Sequence, residues 1–312
     1  MPPGTTSPIT SPTGESWQIG HGRQTAVITE VGATLRSFSL GGEPVVDGFA
    51  EGEWSQGGRG QVLAPWPNRL GDGRYTFRGQ TSQLPLNEPE RGNAIHGLVR
   101  WMPWRLEAKA QNMLVVSCML YPRPGYPFTL SLRIQYHLGR DGLQVTTTAW
   151  NAGSEELPFG LGFHPYLTVG TSRVDSASLR VPAASRLVAD DRGLPTGEVR
   201  SVLGTEYDFT TVRPLGPVCL DTCYTDLRRD DDGRATVELA DSGGERSVDL
   251  WVSEHFAHLM CFTGDTLEES RRRRSIAVEP MTCPPDAFRS RKDLVTLEPG
   301  GSWIGSWGIR PH

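Results

Sequence analysis

LQVTTTAWNA, residues 143–152, alternates apolar and polar side chains almost without a break. A period of two is that of a β-strand with one wet face. Similar short runs recur along the chain: QTAVITEV (24–31), TLRSFSL (34–40), LVVSCMLY (114–121), TLSLRIQYHL (129–138), SVDLWVS (247–253), HLMCFTG (258–264) and SIAVEP (275–280). They are rich in Val, Thr, Leu and aromatic residues, and Gly, Pro, Asp or Asn bound them. LGGEP, LGRDG and DSGGE are turn signals between such runs. The 36 glycines and 24 prolines are spread through the 312 residues rather than gathered in one tract, so they read as many turns between many short elements. Helical spacing of apolar residues is hard to find. The expected fold is therefore all-β, a large antiparallel β-sandwich with very little helix. Helix is expected only in short loop pieces such as DLVTL after SRK. No shift in composition divides the chain, so one domain over 16–312 is expected, behind a disordered polar lead-in over 1–15.

Several function classes are excluded early. A net charge of −5 gives no reason to expect a nucleic-acid partner. No window reaches the ~18 apolar residues that span a bilayer, so no membrane partner is expected. The N-terminus lacks the basic start and apolar core of a secretory signal. Five scattered cysteines are not a disulfide framework and suit a reducing compartment. A cytoplasmic protein, monomer or homodimer, is expected. GLG at 160–162 is not a phosphate-binding glycine loop, and no G-x-S-x-G nucleophile elbow occurs. A metal is not expected either. His96 and His164 are far apart in sequence, His255 and His258 would face opposite sides of a strand, and Cys219 and Cys223 lack a second cysteine pair. The run Arg271 to Arg274 is flanked by acidic residues and reads as a solvated loop.

The chemistry that remains sits in APWPNRLGDGRYTF (64–77), RGNAIHGLVRW (91–101), GLGFHPYL (160–167), CLDTCYTDL (219–227) and AVEPMTCPPDAF (277–288). Histidines and carboxylates without metal or nucleophile form an acid–base inventory suited to proton transfer near neutral pH. A carboxyl group in an apolar, proline-walled setting has its pKa raised toward that range. Asn68 and Arg69 supply hydrogen bonds that orient hydroxyls, and Trp66 and Trp101 offer flat faces to a sugar ring. His164 alone, in ELPFGLGFHPYLTVG (156–170), favours a hydrogen-bonded core histidine over a catalytic one.

PWPNRLGDGRYTFRGQ, NAIHGLVR, GFHPYL, LDTCYTDL and VEPMTCPPDAF follow one another in the order and spacing of the aldose 1-epimerases, also called galactose mutarotases. The chain resembles that family from about residue 18 to 310. The longer string PWPNRL…NEPERGNAIHGLVRW is most similar to a bacterial branch without a settled sugar preference, one member of which is associated with sulfoquinovose. The resemblance implies a β-supersandwich with an open cleft, and interconversion of the α and β anomers of a free monosaccharide without a cofactor. It implies that Glu279 is the general base at the C1 hydroxyl and that His164 is the general acid at the ring oxygen. It further implies that His96 binds near the ring oxygen, and that Arg69 and Asp221 hold hydroxyls. Leu98 stands where the galactose enzymes usually carry a second glycine, and PWPN is a feature of the branch. Both leave the chemistry intact while bearing on the sugar. With the resemblance added, His164 reads as the acid. Other readings are a hexose-6-phosphate or sulfoquinovose 1-epimerase, with Arg100 or the Arg271 to Arg274 run gripping the anion, a glycosidase using Asp221 and Glu279, and a non-catalytic carbohydrate-binding protein.

Overall fold

A computed structural model describes residues 11–312. The period-two runs are strands: Gln24–Thr29, Leu35–Leu40, Met113–Leu120, Leu130–Gly139, Gly142–Asn151, Ser247–Val252, His258–Phe262 and Ile276–Met281. Within Gly142–Asn151, Val145, Thr147 and Ala149 are fully buried while Gln144 and Trp150 are exposed. Half the strand's side chains therefore leave water, at roughly 1.5–3 kcal/mol for each large aliphatic one.

Two large antiparallel sheets carry the fold. A nine-stranded sheet runs from Arg105–Lys109 through Leu130–Gly139, Gly142–Asn151 and Ser302–Pro311 to Arg213–Pro214. The other runs from Pro195–Ser201 through Ala183–Ala189, Asp221–Leu227, His258–Phe262, Ile276–Met281 and Gly162–Phe163 to Val62–Leu63, and Tyr166–Leu167 also pairs with Ile276–Met281. Ile134, Val145, Leu250 and Ile309 from the first sheet share one apolar cluster with Tyr224, Leu259, Ile276 and Val278 from the second. That shared cluster makes the pair a sandwich. A four-stranded sheet, Ser16–His21 to Glu43–Pro44, adds Ile19, Ile28 and Phe38 to the same cluster.

Three expectations need correction. DLVTL is not helical: Val295–Leu297 is a strand paired with Leu157–Phe159. Two adjacent β-branched residues and a period of two outweigh any local helical tendency there. The one-turn α-helix lies just before it, at Ala287–Ser290. Residues 1–10 of the expected disordered lead-in lie outside the described residues, but 11–15 are docked. The Val31 amide donates to the Thr13 carbonyl at 3.0 Å, and the Glu30 amide to that of Glu15 at 2.8 Å. The arginine run is not simply solvated. Arg273 is buried between Asp175 and Asp265, at 3.0 and 2.7 Å, and also donates to the carbonyls of Gly216 and Val218. Asp175, 98 residues away, is too distant in sequence to be read from the run itself.

Candidate active site

Strand alternation decides which side chains reach the site. Ile276–Met281 sends Ile276 and Val278 into the main core and turns Glu279 and Met281 to the opposite face of the sheet. Glu279 pairs across with Met260, and Met260 with Cys223. Leu187, Cys223, Met260 and Met281 form a small apolar cluster of their own on this face. Asp221, two residues before Cys223, projects to the same side as Glu279, two strands away. A floor of soft apolar side chains thus carries two carboxyl groups at its edge.

Loops deliver the rest. His164 lies between the strands Gly162–Phe163 and Tyr166–Leu167, and its backbone is pinned on both sides. Its amide donates to the Gln61 carbonyl at 3.1 Å, and its carbonyl accepts from the Gly60 amide at 2.9 Å. The Nε2 atom then lies 3.2 Å from Glu279 Oε1, with both residues buried. His96 follows the strand Asn93–Ile95 with φ +64°, ahead of Gly97 at +67°. A Cβ on Gly97 would lie 2.1 Å from the Ala64 carbonyl oxygen, so only glycine fits there. This turn brings the His96 ring edge-to-face on His164, with centroids 5.3 Å apart.

Arg69–Gly71 pairs with Asn93–Ile95 and sets Arg69 beside these groups. The Arg69 Nε donates to both Glu88 oxygens, at 3.1 and 3.0 Å, and its Nη1 lies 3.6 Å from Asp221 Oδ2. Asn68, at φ +53°, accepts the Arg69 amide on its own Oδ1 at 2.9 Å.

His96, His164, Glu279, Arg69, Asp221 and Asn68 all line one cleft of about 450 Å³, within the range of small-molecule sites. Glu88 and Gly58 also line it, and sequence reasoning missed both. Glu88 is 19 residues from the arginine it holds, in the NEPER string that the family resemblance had picked out only as a whole. Gly58, at φ +76°, sits where a Cβ would fall 2.5 Å from His164 Cδ2, and GGRG was the available signal. The tryptophans expected as sugar platforms are not in the cleft. Trp66 is buried against Phe288, and Trp101 is half exposed outside it. Neither alternates on a strand that faces the cleft, and Phe262 is the aromatic ring that does.

Burial dominates the electrostatics. It pushes the Glu279 carboxyl well above the usual carboxylate range, the like charge of Asp221 adds to this, and Arg69 opposes it. Burial pushes the His164 imidazole down to about 3, helped by the positive charge of Arg59. His96 is likewise held well below its ordinary value by burial, with His164, Arg100 and Arg69 adding to it. The buried pair therefore holds one proton and no net charge. Moving that proton from Glu279 to His164 across 3.2 Å gives an ion pair of the same total charge, the form that burial disfavours. Glu279 Oε2, His164 Nδ1 and His96 Nδ1 are buried with no hydrogen-bond partner. Such groups are rare, and each costs roughly 1–3 kcal/mol. Three of them gather at this one cleft, which makes it the candidate site. Among the described residues, no group of three or more His, Cys, Asp or Glu side chains is placed to hold a metal ion, and no helix is long and apolar enough to cross a membrane.

A family model for aldose 1-epimerase matches residues 15–309. The uncharacterized protein YihR of Escherichia coli is 33% identical over 291 residues, covering 92% of this chain and 90% of that one. Galactose mutarotase of Mus musculus is 30% identical over 185 residues, 55% of this chain and 52% of the mouse protein. Among solved structures, an aldose epimerase homologue from C. elegans superposes with a TM-score of 0.85 at 18% identity, covering 96% of this chain and 98% of its own.

Proposed function

The chain belongs to the aldose 1-epimerase family, and from that premise we propose that it interconverts the α and β anomers of a free aldose in the cleft between Glu279 and His164. One observation carries the reading: a buried carboxyl and imidazole in contact, with His96, Arg69 and Asp221 around them. In the ion-pair form, Glu279 removes the proton from the C1 hydroxyl while His164 protonates the ring oxygen. The C1–O5 bond breaks and leaves an aldehyde at C1 and a hydroxyl on C5. Glu279 then carries a proton and His164 none, which is the neutral form favoured by burial. Rotation about C1–C2 presents the other face of the aldehyde. The C5 hydroxyl adds to C1, His164 takes its proton, and Glu279 returns one to the C1 oxygen. The pair ends as it began, so no cofactor is consumed. Each proton transfer contributes about 10²–10⁴-fold.

Arg69, clamped by Glu88, and the half-exposed Asp221 bind sugar hydroxyls at the mouth. Asp221→Asn is expected to raise KM by about 10–100-fold, the worth of a charged hydrogen bond, with kcat changed far less. Steady-state kinetics check this, and a fall confined to kcat would move Asp221 into the chemistry.

A second reading is an epimerase for a sugar with phosphate or sulfonate at C6. The arginine run does not serve it: none of its four residues lines the cleft, and Arg271, Arg273 and Arg274 are paired with Asp47, Glu53, Asp175 and Asp265. Arg91 is the observation in its favour: it lines the cleft and makes no ion pair among the described residues. NMR anomer-exchange spectroscopy on glucose, galactose, glucose 6-phosphate and sulfoquinovose separates the two. Enhanced exchange of a neutral sugar supports the first reading, and exchange of the anionic sugars alone supports the second. Binding without enhanced exchange would leave a carbohydrate-binding protein in place of an enzyme.

A further inference from the structure

His164 and Tyr166 flank Pro165 and project to one side, where their rings stack with centroids 5.0 Å apart and planes 13° from parallel. The Arg59 guanidinium lies over the same tyrosine, 4.1 Å from the ring centroid. Arg59 is itself fixed: its Nε donates to the Asp47 carbonyl at 2.7 Å and its Nη2 to Asp47 Oδ2 at 3.2 Å. Ser275 donates to that same oxygen at 2.9 Å. The Tyr166 hydroxyl donates to the Gly57 carbonyl at 2.8 Å, and the next residue is Gly58, whose backbone meets the imidazole edge. We propose that Arg59 and Tyr166, anchored by Asp47, form a positioning unit that fixes the plane of the His164 imidazole against Glu279. The inference rests on the acid role given to His164 above.

The unit also sets charge. Asp47 faces three guanidinium groups, those of Arg59, Arg271 (3.3 Å) and Arg274 (3.5 Å). One carboxylate cannot neutralise three cations, even though Arg271 also reaches Glu53 at 3.6 Å. Of these, Arg59 lies over Tyr166, and its positive charge opposes an imidazolium at His164. His164 is faced by Glu279 from Ile276–Met281, by His96 from the turn after Asn93–Ile95, by Tyr166 from its own segment and by Arg59 from the segment before Val62–Leu63. Arg100 adds a weaker positive influence.

The test uses the full chain with Arg59→Gln, Arg59→Lys and Tyr166→Leu. It reads the NMR titration of the His164 ring nitrogens, which needs no turnover, beside kcat and KM for the best sugar of the panel. Arg59→Gln is expected to shift the His164 titration upward by about one pH unit or more and to lower kcat by about tenfold, with KM within about threefold of wild type. Arg59→Lys keeps the charge and is expected to leave the titration in place with a smaller loss of kcat. A His164 titration and kcat both unmoved in Arg59→Gln overturn the proposal. Equal kcat losses in the Gln and Lys variants with an unmoved titration would make Arg59 a mere tie between loops, and also overturn it. Should Arg59→Gln fail to fold, Tyr166→Leu decides: about a tenfold loss of kcat at constant KM is expected, and wild-type kcat refutes the unit. If the wild type accelerates exchange of no sugar, the enzymatic reading fails, while the titrations still decide whether Arg59 governs the imidazole.

Discussion

Glu279→Gln is expected to lower kcat for anomer exchange by about 10²–10⁴-fold, or roughly 3–5 kcal/mol of transition-state stabilisation, with KM nearly unchanged. Glutamine keeps the length and planarity of the side chain and can still meet His164, but it has no basic oxygen to take the C1 proton. Arg69 and Asp221, the groups proposed to hold the sugar hydroxyls, are untouched, and an interaction made only in the transition state costs kcat rather than affinity. The fold should tolerate the change. Glu279 is buried and held toward its neutral form, so the amide strands no charge and opens no cavity. Circular dichroism and a thermal melt close to wild type would separate lost chemistry from lost structure. A kcat within threefold of wild type on an established substrate sinks the role given to Glu279.

The long strands were legible because each repeats its period several times. Gly142–Asn151 announces itself through alternating burial, and Ile276–Met281 through a β-branched and apolar run. The short strands that deliver the site were not. Arg69–Gly71, Gly162–Phe163 and Tyr166–Leu167 have two or three residues each, too few to show any period; the last two join the ladder of Ile276–Met281, and the first pairs with the equally short Asn93–Ile95. His164 shows the same limit from another side. Its apolar neighbours suit a core histidine, and the structure does bury it. What separates it from core filler is the carboxyl at 3.2 Å, contributed by a residue more than a hundred positions later. Glu88 beside Arg69 and Asp47 beside Arg59 are nearer in sequence, 19 and 12 residues away, but no strand or helix period links them, and so they were not legible either. Trp66 misled because an aromatic near a candidate site suits a sugar platform and a core anchor equally well by type. Here it packs on Phe288.

His164→Asn is expected to lower kcat by a similar 10²–10⁴-fold, and its pH profile is more telling than its rate. In the wild type the active pair carries one proton. Adding a second places it on His164, which burial and Arg59 push down to about 3, so the acid limb of kcat/KM falls well below the ordinary imidazole range. Removing the only proton takes it from Glu279, whose value burial and Asp221 raise, so the alkaline limb lies above the ordinary carboxylate range. The limbs belong to the coupled pair, and the plateau lies between them. With Asn at 164 only Glu279 titrates. The residual rate needs its ionised form, so it climbs as pH rises through the raised carboxyl value and then stays level, with no alkaline fall. Glu279→Gln gives the mirror image. Its residual rate needs protonated His164, so it declines as pH rises through the depressed imidazole value and is lowest near neutrality. Rate profiles of the three proteins over one pH series test the assignment directly. A His164→Asn enzyme that kept both limbs of the wild-type bell would show that the second proton never resided on this imidazole, and the acid would have to be sought at His96.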